Sequence, residues 1–359
     1  MVYHTHQDRP YWYESAYYLL TDEDVERLEN ATNELHQMAL QLVDEVVQRG
    51  DYDLFCLTEF SKKAVERSWR DRHATLYGRF DLAYDGVGPP KLLEYNADTP
   101  TSLLEAAVVQ WQWLQAVAPG GDQFNSIWEA LVSRWQQLKA TGAVGSVVHF
   151  GHEESVEDLM TVCLLRDAAE EAGITTIGLH MGEIGWSTEV FRFVDLENQP
   201  IQSLFKLYPW EILAREPFGD RALANVSETR WLEPAWKMLL SNKVLLAELW
   251  RRHPGHPNLL PAFLEVPGSL ADYVRKPIFS REGANVSVVQ GGVGRESTGG
   301  GYGAEGFVYQ ALAPIPDFGG NRPVIGSWVV GDESCGIGIR ESDGWITQDT
   351  SRFVPHCLG

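Results

Sequence analysis

The stretch Gly78–Glu105, GRFDLAYDGVGPPKLLEYNADTPTSLLE, constrains the fold more than any other part of the chain. Strand-forming residues flank a turn-rich segment, Asp85-Gly86-Val87-Gly88-Pro89-Pro90, which predicts two strands joined by a tight connection. With the turn centred between Val87 and Gly88, Asp81 falls opposite Glu94 and Arg79 opposite Asn96. Side chains alternate with period two along a strand, so Arg79 and Asp81 share a face, as do Glu94 and Asn96. Two carboxylates and an amide oxygen on one patch are hard ligands suited to Mg²⁺. Arg79 beside them can brace a phosphoryl or acyl-phosphate oxygen. A solvated strand face carrying a cross-strand charge pair is the plainer reading of the same spacing. Asp facing Glu weighs against it, because like charges directly opposite destabilise a hairpin unless something positive lies between them.

Directly after the hairpin, Thr99-Pro100-Thr101-Ser102 precedes an apolar run. Pro100 suits a first helical position and Glu105 lies three residues after Ser102, which predicts a capped helix from about Ser102 to Val117. Its free N–H groups could dock an anionic substrate group or serve as a plain cap. Upstream, Thr21 and Asp24 form a capping-box-like start to a helix whose apolar stripe, from Val25 to Val46, ends at Gly50.

With 359 residues the chain can bury a substantial core in one large or two intimate domains. The excess of 50 acidic over 29 basic residues argues against nucleic acid or an anionic membrane as the main partner and is compatible with a cationic substrate such as a polyamine. Cys56, Cys163, Cys335 and Cys357 are widely spaced with no zinc-like pattern, as expected of reduced thiols in a cytoplasmic protein. The N-terminal residues lack the architecture of a signal segment, and no run approaches the length needed to cross a bilayer.

From about Gly145 the pattern becomes strand (SVVHF), acidic helix (about Glu153 to Ala172) and strand (ITTIGLH), an open α/β unit. Glu153 and Glu154 follow the first strand, at the end where open α/β sheets bind ligands, although they also suit the first turn of a helix. A helix from about Pro234 to Trp250 carries Lys243 inside an apolar run, either snorkelling or directed at an anion. Farther on, two strand-like runs around Arg281-Glu282-Gly283-Ala284-Asn285 predict a hairpin whose loop could lay N–H groups over phosphates, with Lys276 reaching them, or a basic hairpin with an ordinary turn. The formal GxGxxG at Gly301–Gly306 feeds the strand-like FVYQ and no helix, so it is not a dinucleotide fingerprint. The exit of FVYQAL places Gln310 where it could meet a purine. PVIGSWVV, ESCGIGIRES and GWITQDTSRFVP then read as an antiparallel meander, with Arg340 near the end of its second strand.

Taken together, GRFD, LEYNADTPTSLLEA, SNK, RKPIFSREGANV, VYQALAPIPDF and GSWVVGDESCGIGIRES through FVPH resemble the synthetase part of the glutathionylspermidine synthase family, an ATP-grasp group of acid–amine ligases. The resemblance runs through nearly the whole chain. It implies an α+β, ATP-grasp-like fold, with antiparallel sheets and helices plus an open α/β subdomain. The single unit of residues 1–359 would hold a substrate subdomain at about 141–230, an ATP-clamping lid lobe at about 235–313, and a metal and catalytic lobe from 1–140 and 314–359. The resemblance further implies that Asp81, Glu94 and Asn96 hold Mg²⁺ and that Arg79 stabilises the transition state. Arg79, Phe80, Asp81, Lys243, Lys276, Gly283 and Gln310, with a strand Trp345-Ile346-Thr347, would hold ATP, and Arg340 would meet phosphate or the acyl phosphate. The acid would sit near Thr99, Thr101 and Arg79, and the amine near Glu153 and Glu154. The separate amidase domain of bifunctional members is not expected here, and the motifs leave the acid, the amine and the oligomeric state open.

The expected chemistry is ATP- and Mg²⁺-dependent amide formation between a small-molecule carboxylate and an amine, through an acyl phosphate. Two other classes fit the same residues: a nucleotide-binding sensor or assembly module without catalysis, and a phosphotransferase that leaves phosphate on its product. A decayed sensor should have lost some of Arg79, Asp81, Glu94, Asn96, Lys243 and Lys276, which are all present.

Overall fold

The computed structural model describes residues 10–359, so the reading of the first residues as free of a signal segment lies, for residues 1–9, outside the described residues. The predicted hairpin forms. Tyr77–Ala83 pairs antiparallel with Lys91–Asn96, Arg79 opposite Asn96 and Asp81 opposite Glu94, before a bulge between Asp81 and Leu82. The connecting turn is closed by Asp85, whose Oδ1 accepts from the N–H groups of Val87 (2.9 Å) and Gly88 (2.7 Å), with Gly86 at φ 79°.

Alternation sorts the two faces. Phe80 and Tyr95 stack with ring centroids 3.7 Å apart, on the side covered by the Asp22–Arg49 helix, whose His36 meets both rings edge-on. That helix begins at the reciprocal Thr21–Asp24 capping box and ends at Gly50 in the left-handed region, as its sequence predicts. It buries Leu28, Leu35, Leu42, Val43 and Val46 against the sheet. The hairpin is the edge of a five-stranded antiparallel sheet in the order Arg352–Val354, Glu333–Ser342, Arg322–Val330, Tyr77–Ala83, Lys91–Asn96.

A second five-stranded sheet runs Ala262–Leu264, Phe307–Ala311, Tyr273–Pro277, Ser287–Gln290, Val293–Ser297. A third, of four parallel strands, runs Thr175–His180, Val147–His152, Ser203–Leu207, Arg230–Leu232, with the Val156–Glu171 helix as the crossover between its first two strands in sequence. The mixed α/β architecture therefore contains the strand–helix–strand unit read from residues 145–180.

Three local expectations fail. Ser102 does not cap a helix: it adopts φ 64°, its hydroxyl pairs with Tyr11 (3.0 Å), and the helix starts at Leu103 and passes through a π turn, Glu105–Val109, before Gln110–Val117. The run 234–250 is split into a 3₁₀ segment, Ala235–Leu239, and a helix, Val244–Arg252. The break occurs where Asn242 turns its side chain to the backbone, accepting from Val244 N (2.9 Å) and donating to Phe55 O (2.8 Å). Trp345-Ile346-Thr347 lies in a bent, unpaired segment and not in a strand.

The sheets are fastened by a buried hub. The Glu233 carboxylate, which follows the last parallel strand, accepts from Thr75 Oγ1 (2.6 Å), Leu76 N (3.0 Å) and Tyr77 N (3.0 Å), and pairs with Lys237 (2.7 Å), which donates to Tyr77 O (2.6 Å). Glu233→Ala would leave a buried ammonium and two buried N–H groups without their carboxylate. We expect it to lower stability by roughly 3–5 kcal/mol, read as a lower urea midpoint at unchanged slope.

Candidate active site

One cavity collects residues from segments far apart in sequence. Arg79, Asp81, Glu94, Asn96, Thr99 and Thr101 line it from the hairpin and its exit, Lys243, Lys276, Gly283 and Gln310 from the middle of the chain, and Arg340, Trp345, Ile346 and Thr347 from the end. Three predicted residues are not among its lining. Phe80 points to the opposite face of the sheet, because it alternates with Arg79 and Asp81, and it is fully buried against Tyr95. Glu153 and Glu154 are exposed beyond the strand Val147–His152.

The like charges of the hairpin are met by cations. Arg79 donates from Nε to Asp81 Oδ1 (2.7 Å) and from Nη2 to Oδ2 (3.3 Å), while its Nη1 donates to Thr101 O (2.6 Å). Arg340 Nη2 reaches Asp81 Oδ2 at 2.7 Å, and Lys243 Nζ reaches Glu94 Oε2 at 3.2 Å. Gly326, opposite Asp81 on the neighbouring strand, makes room for this arrangement: a Cβ there would lie 2.7 Å from Arg79 Cδ. Burial opposes ionisation of Glu94, but Lys243, Lys276 and Arg79 hold its carboxyl down to about 2. Lys276 donates to Leu93 O and Gln310 Oε1, both 2.8 Å, and burial lowers its ammonium to about 8 despite Glu94.

Behind Lys276 the loop of the Arg281–Asn285 connection closes on the unpaired Trp345–Thr347 segment. Gly283 has φ 70°, and a Cβ there would sit 2.6 Å from Thr347 O, so this contact requires glycine. Arg281, inside a motif noted from sequence but given no role, donates from Nη1 to Thr99 Oγ1 (2.6 Å) across the cavity. Also missed was Asp98, which receives Lys206 Nζ at 2.6 Å and Trp210 N at 2.9 Å. Lys206 sits in the apolar strand SLFKL, where a single lysine gives no sign of its distant partner. The donor set of Asp81, Glu94 and Asn96 has the hard oxygen chemistry that Mg²⁺ takes.

The family description "Glutathionylspermidine synthase preATP-grasp" matches residues 1–359. The chain belongs to the glutathionylspermidine synthase family. It is 46% identical over 358 residues to a Haemophilus influenzae protein named "Putative acid--amine ligase", covering 96% of this chain and 90% of that protein. It is 28% identical to trypanothione synthetase of Crithidia fasciculata, with 89% of this chain and 53% of that protein covered. It is 27% identical to the bifunctional glutathionylspermidine synthetase/amidase of Escherichia coli, with 94% and 58% covered. The chain thus spans little more than half the length of these last two.

In this family member a second set of carboxyls comes from the segments after two parallel strands (Asp158 and Glu211), from the Arg281–Asn285 loop (Glu282) and from the π turn (Glu105). Burial raises Glu211, which lines the cavity, and the nearby Asp98 charge adds to the rise. Burial also raises Asp158 to about 6, and raises Glu282, while Arg281 opposes both rises. Glu105, in the π turn, is raised to about 7, chiefly by burial, with Glu157 adding to the rise and Arg340 opposing it. A carboxyl whose folded pKa exceeds its unfolded value of 4.5 adds stability below that value and loses it as pH rises through about 7. The loss is on the order of 3 kcal/mol. Glu105→Gln should therefore melt higher than the parent at pH 8 and no higher at pH 4.5, measured by thermal unfolding at both values.

Proposed function

We propose that this chain is an ATP- and Mg²⁺-dependent acid–amine ligase that joins a peptide or amino-acid carboxylate to an amine or polyamine. The reading rests on one observation above all: two carboxylates and an amide on one hairpin face share a cavity with Arg79, Arg340, Lys243 and Lys276. Transfer of the ATP γ-phosphoryl group to the acid yields ADP and an acyl phosphate. The amine then attacks the acyl carbon, loses a proton, and phosphate leaves as the amide forms. Protein catalysis of such a transfer is positioning and electrostatics.

Asp81, Glu94 and Asn96 would hold Mg²⁺, which supplies charge neutralisation at the transferring phosphoryl group. Lys243 and Lys276 would meet phosphates, with Gly283 giving the loop its close approach. Gln310 and the Trp345–Thr347 segment would receive the nucleoside. Arg79 is already anchored on Thr101 O, beside the place proposed for the acid with Thr99 and Thr101, and Arg340 would face the acyl phosphate. An ammonium as the second reactant would give the buried carboxyls Glu211 and Glu282, which line the cavity, a counter-charge, with Glu153 and Glu154 on its approach. In this reading residues 1–140 and 314–359 form the catalytic lobe of an ATP-grasp unit, about 141–230 the substrate subdomain and about 235–313 the clamp, working in the cytoplasm where ATP is supplied. The names of the relatives, glutathionylspermidine and trypanothione synthetases, make thiol peptides and polyamines the first compounds to try.

The test is a screen of amino acids, peptides and polyamines with ATP and Mg²⁺, read by mass spectrometry. An amide that appears only with ATP, together with free phosphate, is expected. Nucleotide binding with no product from any pair would favour a sensor, and a stable phosphorylated product a phosphotransferase. Glu94→Ala and Asp81→Asn should each lower ATP turnover by at least about 10²–10³-fold; full Mg²⁺-dependent turnover in Glu94→Ala would remove the metal assignment.

A further inference from the structure

Three of the carboxylate oxygens assigned to the metal are already held by cations of the same cavity. Both oxygens of Asp81 are engaged, Oδ1 by Arg79 and Oδ2 by Arg79 and Arg340, while Glu94 Oε2 faces Lys243. Four cationic side chains, Arg79, Arg340, Lys243 and Lys276, face these two carboxylates, so the local charge is positive before any divalent cation arrives. A metal bound through Asp81 Oδ2 and Glu94 Oε2 competes with Arg340 and Lys243 for those oxygens. Neither can simply turn to water, since their side chains are only 16% and 9% exposed. Turned away from these oxygens, each would remain a cation in low dielectric without its counter-ion, which is strongly unfavourable.

We propose that the hairpin accepts a divalent cation only together with a polyphosphate, whose oxygens take over Arg340 and Lys243 as the metal takes over Asp81 and Glu94. The two exchanges are one event: the anion provides the displaced cations with new partners, and the displaced cations clear the ligands. Arg79 stays in place, since its Nη1 is fixed on Thr101 O. Arg340 and Lys243 therefore act as gatekeepers of the metal site as well as phosphate ligands, and free Mg²⁺ does not load the protein. The inference rests on the nucleotide-dependent ligase reading and adds an order of binding to it.

The test uses Mn²⁺ as a spectroscopic probe with the full chain, following the free-ion electron paramagnetic resonance signal. With parent protein and no nucleotide, Mn²⁺ up to about 1 mM should remain free, whereas a non-hydrolysable ATP analogue should draw one equivalent onto the protein and Asp81→Asn should abolish that uptake. Arg340→Met and Lys243→Met remove one competing charge each, so each should bind bare Mn²⁺ at least about tenfold more tightly than the parent. Micromolar binding of bare Mn²⁺ to the parent would overturn the proposal while leaving the nucleotide reading intact, as would folded gatekeeper variants that bind bare metal no better. No uptake of either Mn²⁺ or the analogue by folded parent protein would sink both.

Discussion

Asp81 faces Glu94 across a two-stranded ribbon, and the rest of the cavity is organised around making that pairing tolerable. Two carboxylates opposite each other on one face repel, and burial makes the repulsion worse by removing water. The fold answers with cations drawn from four places: Arg79 two residues away, Arg340 from the same sheet, Lys243 from the turn just before the Val244–Arg252 helix, and Lys276 from the second sheet. The Arg340 contact could not form without the sheet order that puts Glu333–Ser342 and Arg322–Val330 beside the hairpin. The local cost at the hairpin is thus what ties the remote segments to it.

A second buried pair connects the ribbon to the parallel sheet. Asp98, two residues past Asn96, holds Lys206 of the Ser203–Leu207 strand and the N–H of Trp210, and Lys206 also donates to Tyr208 O (2.9 Å) while lying over the Trp210 ring. Because Thr99 and Thr101 follow directly, the segment that touches Arg281 and Arg79 takes its position from the parallel sheet. With the Glu233–Lys237 hub at the other end of the Tyr77–Ala83 strand, the ribbon is fixed at its start and beyond its end. Breaking such pairs by removing one member is costly, so they favour one relative placement of the sheets.

The ribbon, its register, the capped first helix and the strand–helix–strand unit were legible because each depends on short-range rules: turn residues, period-two alternation, a capping pair, helical spacing of apolar side chains. Lys243, Lys276, the Gly283 loop and Gln310 were marked by local pattern with plain alternatives beside each, and Arg340 by its place in the meander; only the family resemblance put them in one site, since nothing local in the sequence says which distant strand they will face. Phe80 shows the limit of carrying over a whole motif: it stands between two cavity residues, and for that reason its side chain must point the other way. Ser102 had the right spacing for a cap, but its hydroxyl is taken by Tyr11, which is 91 residues away. Trp345–Thr347 has strand-like composition and no strand partner, because its backbone is used against the Gly283 loop and the Glu296 carboxylate, which accepts from Trp345 N (2.6 Å).

The distribution of charge along the cavity carries the argument one step further. The ribbon end is cationic, with the two ribbon carboxylates already compensated, whereas Glu211 and Glu282, which line the same cavity, and Asp158 outside its lining are carboxyls shifted upward chiefly by burial. Arg281 stands between the two regions, bonded to Thr99 and opposing the upward shift of all three. A protein with a net charge of −21 has no general shortage of negative charge, so the concentration of arginine and lysine at one end of a single cleft is a local arrangement, not a reflection of composition. A cationic end of this kind attracts anionic groups. In the ligase reading proposed above, the anionic reactants would therefore be steered to the ribbon end by the field before any specific contact forms.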